Sequence, residues 1–348
     1  MLSWDEYESR FRAAVRAADH RRRFNAAYVE RCLAYAAPLH ERGVPVIYDA
    51  KHLSRLVGYE VSYLYGVANA PQHFYRTFSI SKASGGTRPI TEPLPSLKEI
   101  QRWILENVLE PLPNHRFAKG FIKGRSIRDN ARYHRHQPSV LRLDLEDFFG
   151  SIGFPRILRV FVKAGYSRPV AILLARLCVL ANKLPQGAPT SPALSNQVAM
   201  RIDRRLAAYA KRHGIRYTRY ADDLTFSGSF SAGDLIPFVR RVAAESGLRL
   251  NEGKTRLMKQ NDRQTTTGIV VNDKLQAPRS LRRDLRKALY FIEKYGANSH
   301  IERAEIHRAN YLRHMMGIAT FIIFVNPKDE FAAQAREKLR ALIEEGDA

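Results

Sequence analysis

Apolar residues recur along the chain at two spacings, every third or fourth position in long stretches and every second position in short ones. The first predicts amphipathic helices and the second half-buried strands. Trp4, Tyr7, Phe11 and Val15 form one apolar stripe, so residues 1–37 predict two helices. Residues 46–80 are mixed until Arg76-Thr77-Phe78-Ser79-Ile80, which alternates as a strand. Lys82 to Thr87 then carries turn residues and Arg88-Pro89-Ile90-Thr91 resumes the strand, so a hairpin is expected. Helical spacing returns from Leu97 to Leu109 and again after Ser191, with Ser191 as N-cap, Pro192 at the first helical position and Gly214 as the stop. Another helix, about 234–246, ends at Gly247. Strands are expected at Leu248–Asn251 and from Thr265 to Val271, and everything from Ser280 onward reads as a separate all-α region.

Two acidic sites interrupt this pattern. Asp144 is the only acid inside the alternating run that begins at Leu141, and it falls at the end of the expected strand. In Tyr220-Ala221-Asp222-Asp223-Leu224, two adjacent acids lie between the strand-like runs Ile215–Tyr220 and Leu224–Ser227. Taken alone, a paired Asp in a turn is a solvated loop. With Asp144 it becomes a set of three convergent carboxylates, which suits two hard divalent cations and nucleotidyl-transfer chemistry. The element order through this region is β-α-β-β-α-β, a ferredoxin-like sheet that sets the acidic strands side by side.

Charge points to the partner. Of 348 residues, 57 are Lys or Arg against 34 Asp or Glu, a formal net charge of +23. That excess exceeds what solubility needs and favours a polyanion, nucleic acid before membrane. Cys32 and Cys178 each sit in an apolar helical pattern, as core thiols of a reducing compartment. The N-terminus carries Arg21-Arg22-Arg23 and no apolar signal core, and no run approaches the roughly 20 apolar residues of a membrane span. A cytoplasmic protein is expected.

Taken in order, the motifs resemble those of a reverse transcriptase, and more narrowly a bacterial retron-type one, over residues 60–290. Gly85-Gly86-Thr87-Arg88-Pro89-Ile90 resembles the fingers block, and Gly120-Phe121-Ile122-Lys123-Gly124-Arg125-Ser126 resembles the block that tracks the template. Leu143 to Phe149 matches the first catalytic strand, Leu184-Pro185-Gln186-Gly187 through Pro192 the nucleotide-supporting block, and Tyr220-Ala221-Asp222-Asp223 the catalytic turn. Gly247 through Lys254 matches the lysine-bearing block that follows. Asn69-Ala70-Pro71-Gln72-His73 fits the Asn-Ala-x-x-His signature of retron enzymes. Thr266-Thr267-Gly268 stands where they carry Val-Thr-Gly, departing at its first position.

The resemblance implies an α+β right-hand polymerase with a ferredoxin-like antiparallel palm sheet, α/β fingers and a C-terminal helical thumb. The expected division is an N-terminal helical extension over 1–60, fingers over 61–140 with part of 155–185, palm over 141–278 and thumb over 279–348. It further implies two Mg²⁺ held by Asp144, Asp222, Asp223 and the carbonyl of Leu145, with Lys254 protonating the pyrophosphate; a plain surface lysine is the alternative. Lys82 and Arg88 would clamp triphosphate oxygens, a solvated hairpin charge being the equal alternative for Lys82. Phe149 would lie beneath the sugar and exclude a 2′-OH, or else be simply core, and Gln186 with Gly187 would let backbone approach the nucleotide.

RNA and duplex contacts are expected at Asn69, His73, Arg125, Thr267 and Gly268. They are also expected at Arg279, Arg282, Arg283, Arg286 and Lys287, spaced along one helix face whose only acid is Asp284. His73 can equally be a structural histidine, and the basic face or Arg21–Arg23 can be merely solvated.

The implied substrates and partners are dNTPs, a structured noncoding RNA as template and primer, and a separate effector protein in anti-phage defence. Priming from an RNA 2′-OH would leave a branched RNA–DNA, and the chain length leaves no room for a further nuclease or maturase domain. The alternatives are a group II intron-like or diversity-generating reverse transcriptase, an RNA polymerase of the same fold, and a non-catalytic RNA-binding scaffold.

Overall fold

The computed structural model describes residues 2–18, 26–81, 85–306 and 308–346. In chain order the first elements are α1 (Trp4–Ala18), α2 (Ala26–Glu41), α3 (Ala50–Val57), α4 (Val61–Asn69), β1 (Tyr75–Ser81), β2 (Thr87–Pro93), α5 (Pro95–Ile104) and α6 (Ile127–Tyr133). The middle of the chain gives β3 (Ser139–Asp144), α7 (Phe154–Ala164), α8 (Arg168–Leu177), α9 (Ser191–Arg212), β4 (Arg216–Tyr220), β5 (Asp223–Ser227) and α10 (Ala232–Glu245). Then follow β6 (Arg256–Lys259), β7 (Thr265–Thr266), β8 (Ile269–Val270), α11 (Arg279–Tyr295), α12 (Ala297–Arg303), α13 (Tyr311–Val325) and α14 (Glu330–Gly346). The basic triplet Arg21–Arg23 and Lys82 lie outside the described residues.

The chain divides into two compact units, Met1–Ile122 with Leu145–Arg204 and Ala243–Arg249, and Lys123–Asp144 with Arg205–Val242 and Leu250–Ala348. In the first, β1 and β2 form an antiparallel hairpin from Tyr75↔Pro93 to Ser81↔Thr87. Its base is tied down by Gln101, a fully buried side chain on α5 whose amide donates to the Tyr75 hydroxyl and to the Leu177 carbonyl, both at 2.8 Å. Helix α7 shows why the sequence folds as it does there. Ile157, Val160, Phe161 and Ala164 recur on one face and are all buried, and Gly165, left-handed at φ +108°, ends the helix.

The second unit carries a four-stranded antiparallel sheet in the order β4-β5-β3-β6. Those strands occur in the sequence as β3, β4, β5, β6, so the order is the one a β-α-β-β-α-β chain produces. Tyr217 and Phe226 pack at 4.9 Å between ring centroids on the β4–β5 hairpin. His134, on the segment after α6, is fully buried and bonds the hydroxyls of Thr218 and Ser227, each at 2.7 Å, which ties both hairpin strands to that segment. The C-terminal helices enclose their own core, with Leu285, Leu289 and Ile292 of α11 against Ala319 and Ile322 of α13 and Leu339 of α14.

Three sequence expectations are corrected. Residues 248–251 do not form an extended strand; they pair only at a single bridge residue, Leu250, with the Asn251 N–H on the Asp144 carbonyl, and the fourth strand is β6, which begins at Arg256. The stretch from Thr265 to Val271 is not one strand but a minimal hairpin, with Thr265↔Val270 and Thr266↔Ile269 paired around left-handed Thr267 and Gly268. Ser191 lies inside α9, and its hydroxyl donates to the Pro185 carbonyl at 2.8 Å in place of capping.

Thr266 is fully buried and its hydroxyl has no partner among the described residues. A buried hydroxyl without a hydrogen bond is unfavourable, whereas valine has the same shape without it. Thr266→Val is therefore expected to stabilise the protein by about 1 kcal/mol in urea unfolding; equal or lower stability would mean that the hydroxyl is satisfied.

Candidate active site

The acidic centre is built within the second unit by strand register. β3 ends at Asp144, whose antiparallel partner is Asp223, the first residue of β5. Tyr220 pairs with Asp223 as well, so Ala221 and Asp222 alone form the connection between β4 and β5. Ala221 is left-handed at φ +58°, a conformation that favours glycine. The guanidinium of Arg219, fully buried, donates to the Ala221 carbonyl at 3.0 Å and holds the turn in that shape.

Like charges so placed repel, and the neighbours show it. Burial, then the charges of Asp223 and Asp144, push the half-buried Asp222 carboxyl above its ordinary range, against its own backbone hydrogen bond and Lys254. Burial also raises Asp223, opposed by Arg142, with Asp144 adding to the rise. Arg142 Nη2 lies 3.3 Å and 3.4 Å from the two Asp223 oxygens. Lys254 Nζ lies 3.0 Å from each oxygen of Asp144. A short turn over Glu252–Lys254 delivers that lysine, and the preceding Asn251 N–H donates to the Asp144 backbone carbonyl at 2.8 Å.

Three carboxylates therefore face two side-chain cations. Among the described residues no three His, Cys, Asp or Glu side chains already close around a single ion. The donors are nonetheless hard oxygens carrying excess negative charge, and they fit a divalent cation of the magnesium type.

The nucleotide candidates lie in the first unit, Lys82 excepted. Arg88 is exposed on β2 opposite Ile80. The Gln186 carbonyl accepts from the Thr91 N–H at 2.7 Å, so the Pro-Gln-Gly loop is fastened to β2 three residues beyond Arg88. Gly187 is left-handed at φ +127°, and a Cβ there would stand 2.7 Å from the Thr91 carbonyl oxygen. Phe149 is half-buried, with ring centroids 5.7 Å from Phe148 and 6.1 Å from Phe121. Leu145, directly after Asp144 in the chain, is buried.

Of the RNA candidates, Asn69 ends α4 and His73 lies on the short turn Pro71–Phe74, both exposed. Arg125 is exposed just before Ser126, the N-cap of α6. Thr267 and Gly268 form the β7–β8 tip, and the Thr267 hydroxyl donates to the Ile127 carbonyl at 3.2 Å. Arg279, Arg282, Arg283 and Arg286 line a concavity of about 640 Å³ together with Ser280 and Arg263. Lys287 is exposed on the same helix but is not among those lining residues. Arg282 is committed in part to structure, its guanidinium 3.1 Å from the buried Asp329.

Sequence reasoning missed Arg142, Arg219 and Arg263. Arg142 carried a signal, since a residue two positions before Asp144 shares its face of the strand. Arg219 and Arg263 carried none, because turn support and loop placement follow from tertiary structure.

A family model described as reverse transcriptase (RNA-dependent DNA polymerase) matches residues 80–271. The chain is similar to the retron Mx65 reverse transcriptase of Myxococcus xanthus, 36% identical over 358 residues that span 94% of this chain and 81% of that protein. It is also similar to the retron Ec86 reverse transcriptase of Escherichia coli, 32% identical over 296 residues that span 83% of this chain and 88% of that protein. Among solved structures, a telomerase from Candida albicans in complex with the TWJ fragment of telomeric RNA aligns with 77% of this chain and 63% of its own. Its TM-score is 0.42 at 10% identity, too distant to bear on function.

Two outcomes follow from this geometry. Because the Asp222 pKa is raised on folding, the folded chain holds that proton to higher pH than the unfolded one, so stability falls as pH rises from about 4 through the raised value. In chelator-treated protein, Asp222→Asn should melt above wild type at pH 7, with the gap closing towards pH 4; a gap that ignores pH contradicts this account. Gly187→Ala should cost about 1–3 kcal/mol in urea unfolding, from its left-handed backbone and the contact with Thr91, and unchanged stability would show that the loop yields.

Proposed function

The chain belongs to the reverse transcriptase family, in its bacterial retron-type branch, and is an RNA-directed DNA polymerase; on that premise we propose that it copies a cognate structured noncoding RNA into single-stranded DNA. The observation that carries this reading is the opposition of Asp144 and Asp223 across paired strands, with Asp222 in the two-residue connection between β4 and β5. On this reading the palm is 141–278, the fingers 61–140 with part of 155–185, the thumb 279–348 and a helical extension 1–60.

Reverse transcriptases work with divalent metal. Two Mg²⁺ held by Asp144, Asp222, Asp223 and the Leu145 carbonyl would supply Lewis-acid stabilisation of the attacking and leaving oxygens. The protein's own residues do the rest. Arg88, with Lys82, grips the triphosphate, and Phe149 stands where a 2′-OH would otherwise fit, which selects deoxynucleotides. Gln186 and Gly187 bring backbone to the nucleotide. As the primer hydroxyl oxygen gives up its proton to solvent and bonds to the α-phosphorus, the bond to the pyrophosphate oxygen breaks. Lys254 then passes its proton to that oxygen, having exchanged Asp144 for the phosphates.

Asn69, His73, Arg125, Thr267 and Gly268 contact the RNA. The arginines of α11 hold phosphates, supplying affinity that weakens with salt. Priming from an internal RNA 2′-OH gives a branched RNA–DNA, made in a defence system against phage alongside a separate effector. No described helix is long and apolar enough to cross a membrane, and a cytoplasmic location suits this reading.

The test is expression of the chain with its flanking genomic DNA, followed by sequencing of the co-purifying nucleic acid before and after debranching. A short DNA joined to RNA through a 2′–5′ bond is expected, reduced at least about 10³-fold in Asp222→Asn. Copying of supplied primed templates without a branched species would leave a polymerase of another type. Bound RNA with no DNA, unchanged by the substitution, would leave a scaffold.

A further inference from the structure

Phe121 occupies a position that serves the free protein poorly. Its backbone is left-handed at φ +60°, a region unfavourable for any residue with a Cβ, although a glycine stands directly before it at position 120 and does not take that conformation. The residue is 44% exposed, so it contributes little to a core. The backbone beside it is fixed, because Asn196, itself 2% exposed, donates its side-chain amide to the Gly120 carbonyl at 3.0 Å. A strained, water-exposed aromatic on an anchored segment is a conformation retained for something other than stability.

What the ring touches indicates what that is. Its centroid lies 6.1 Å from that of Phe149 at an interplanar angle of 48°. Phe149 in turn lies 5.7 Å from Phe148 at 54°. Phe148 is buried, Phe149 half-buried and Phe121 exposed, so the three rings form a row from core to surface with Phe149 in the middle. Tilted ring contacts at these separations are favourable and restrict rotation of the central ring. A wall that rejects a single hydroxyl discriminates only as well as its position is fixed, because a ring free to turn aside admits the larger sugar.

We propose that Phe121 is a specificity-determining positioning residue, whose ring braces Phe149 from the exposed side and so sets how strictly the polymerase rejects ribonucleotides. The proposal rests on the reading of Phe149 as the residue facing the sugar. Phe121 need not touch the nucleotide; it acts by holding Phe149 in one rotamer.

The experiment measures kcat and KM for single-nucleotide addition of a deoxynucleoside triphosphate and its ribonucleoside counterpart on a primed RNA template. It compares the full-length wild type, Phe121→Ala, Phe121→Tyr and Phe149→Ala, with a melting temperature for each. Phe149→Ala should lower the preference for the deoxynucleotide by about 10²-fold and Phe121→Ala by about tenfold, mainly through a lower KM for the ribonucleotide. Phe121→Tyr, which keeps the ring, should restore the wild-type ratio, and Phe121→Ala should melt no lower than wild type. Should Phe121→Ala prove unstable, Phe121→Leu keeps apolar bulk without the flat ring and should show the same loss of preference.

If the Phe121 variants slow both nucleotides equally while Phe149→Ala still relaxes selection, the brace is overturned and the ring serves the template strand. If Phe149→Ala itself leaves selection intact, the reading of Phe149 fails first, and the proposal with it.

Discussion

Everything around the acidic centre answers to one repulsion, between two carboxylates fixed opposite each other on paired strands. Backbone hydrogen bonding between β3 and β5 sets Asp144 against Asp223, and neither acid can withdraw without breaking the ladder. The chain accommodates this with Arg142 against Asp223 and Lys254 against both oxygens of Asp144. Neither cation surrounds its acid, since Lys254 is a compact charge on a mostly exposed stem and Arg142 makes long contacts. Asp222 has no side-chain cation of its own among the ion pairs described. The centre is thus neutralised provisionally, as a site that receives and releases cationic ligands requires.

Support for the turn is correspondingly rigid. A buried arginine on β4 holds the Ala221 carbonyl, and a buried histidine bonds one hydroxyl on each strand of the hairpin. Flexibility in a carboxylate pair of this kind would let the acids drift apart and relieve the strain that gives them their affinity. In the first unit the same economy of movement shows at Gly187, where backbone meets backbone too closely for any side chain.

Much of this was legible in the sequence, for a physical reason. Strand alternation around Asp144 and the paired acids between two short apolar runs are local signals, and local signals survive without tertiary information. The acidic hairpin, the β1–β2 hairpin and α9 were therefore placed within a residue or two. The strand expected over Leu248–Asn251 shrinks to one bridge residue at Leu250, while β6 went unseen because three of its four residues are exposed on an edge strand. The minimal hairpin at Thr267 was unreadable as such because a threonine, not the usual Asn or Gly, opens the turn. Arg219 and Arg263 act through placements that only the folded chain defines.

The two-residue connection between β4 and β5 also acts as a length gauge. Side chains on a strand alternate faces, so one residue inserted or deleted between Tyr220 and Asp223 would turn all of β5 over. Thr225 and Ser227 would exchange faces with Leu224 and Phe226, and Asp223 would leave its place opposite Asp144. This part of the chain can change its letters but not its count. Tags, linkers and natural length variation belong elsewhere, on connections whose register binds no pair of acids.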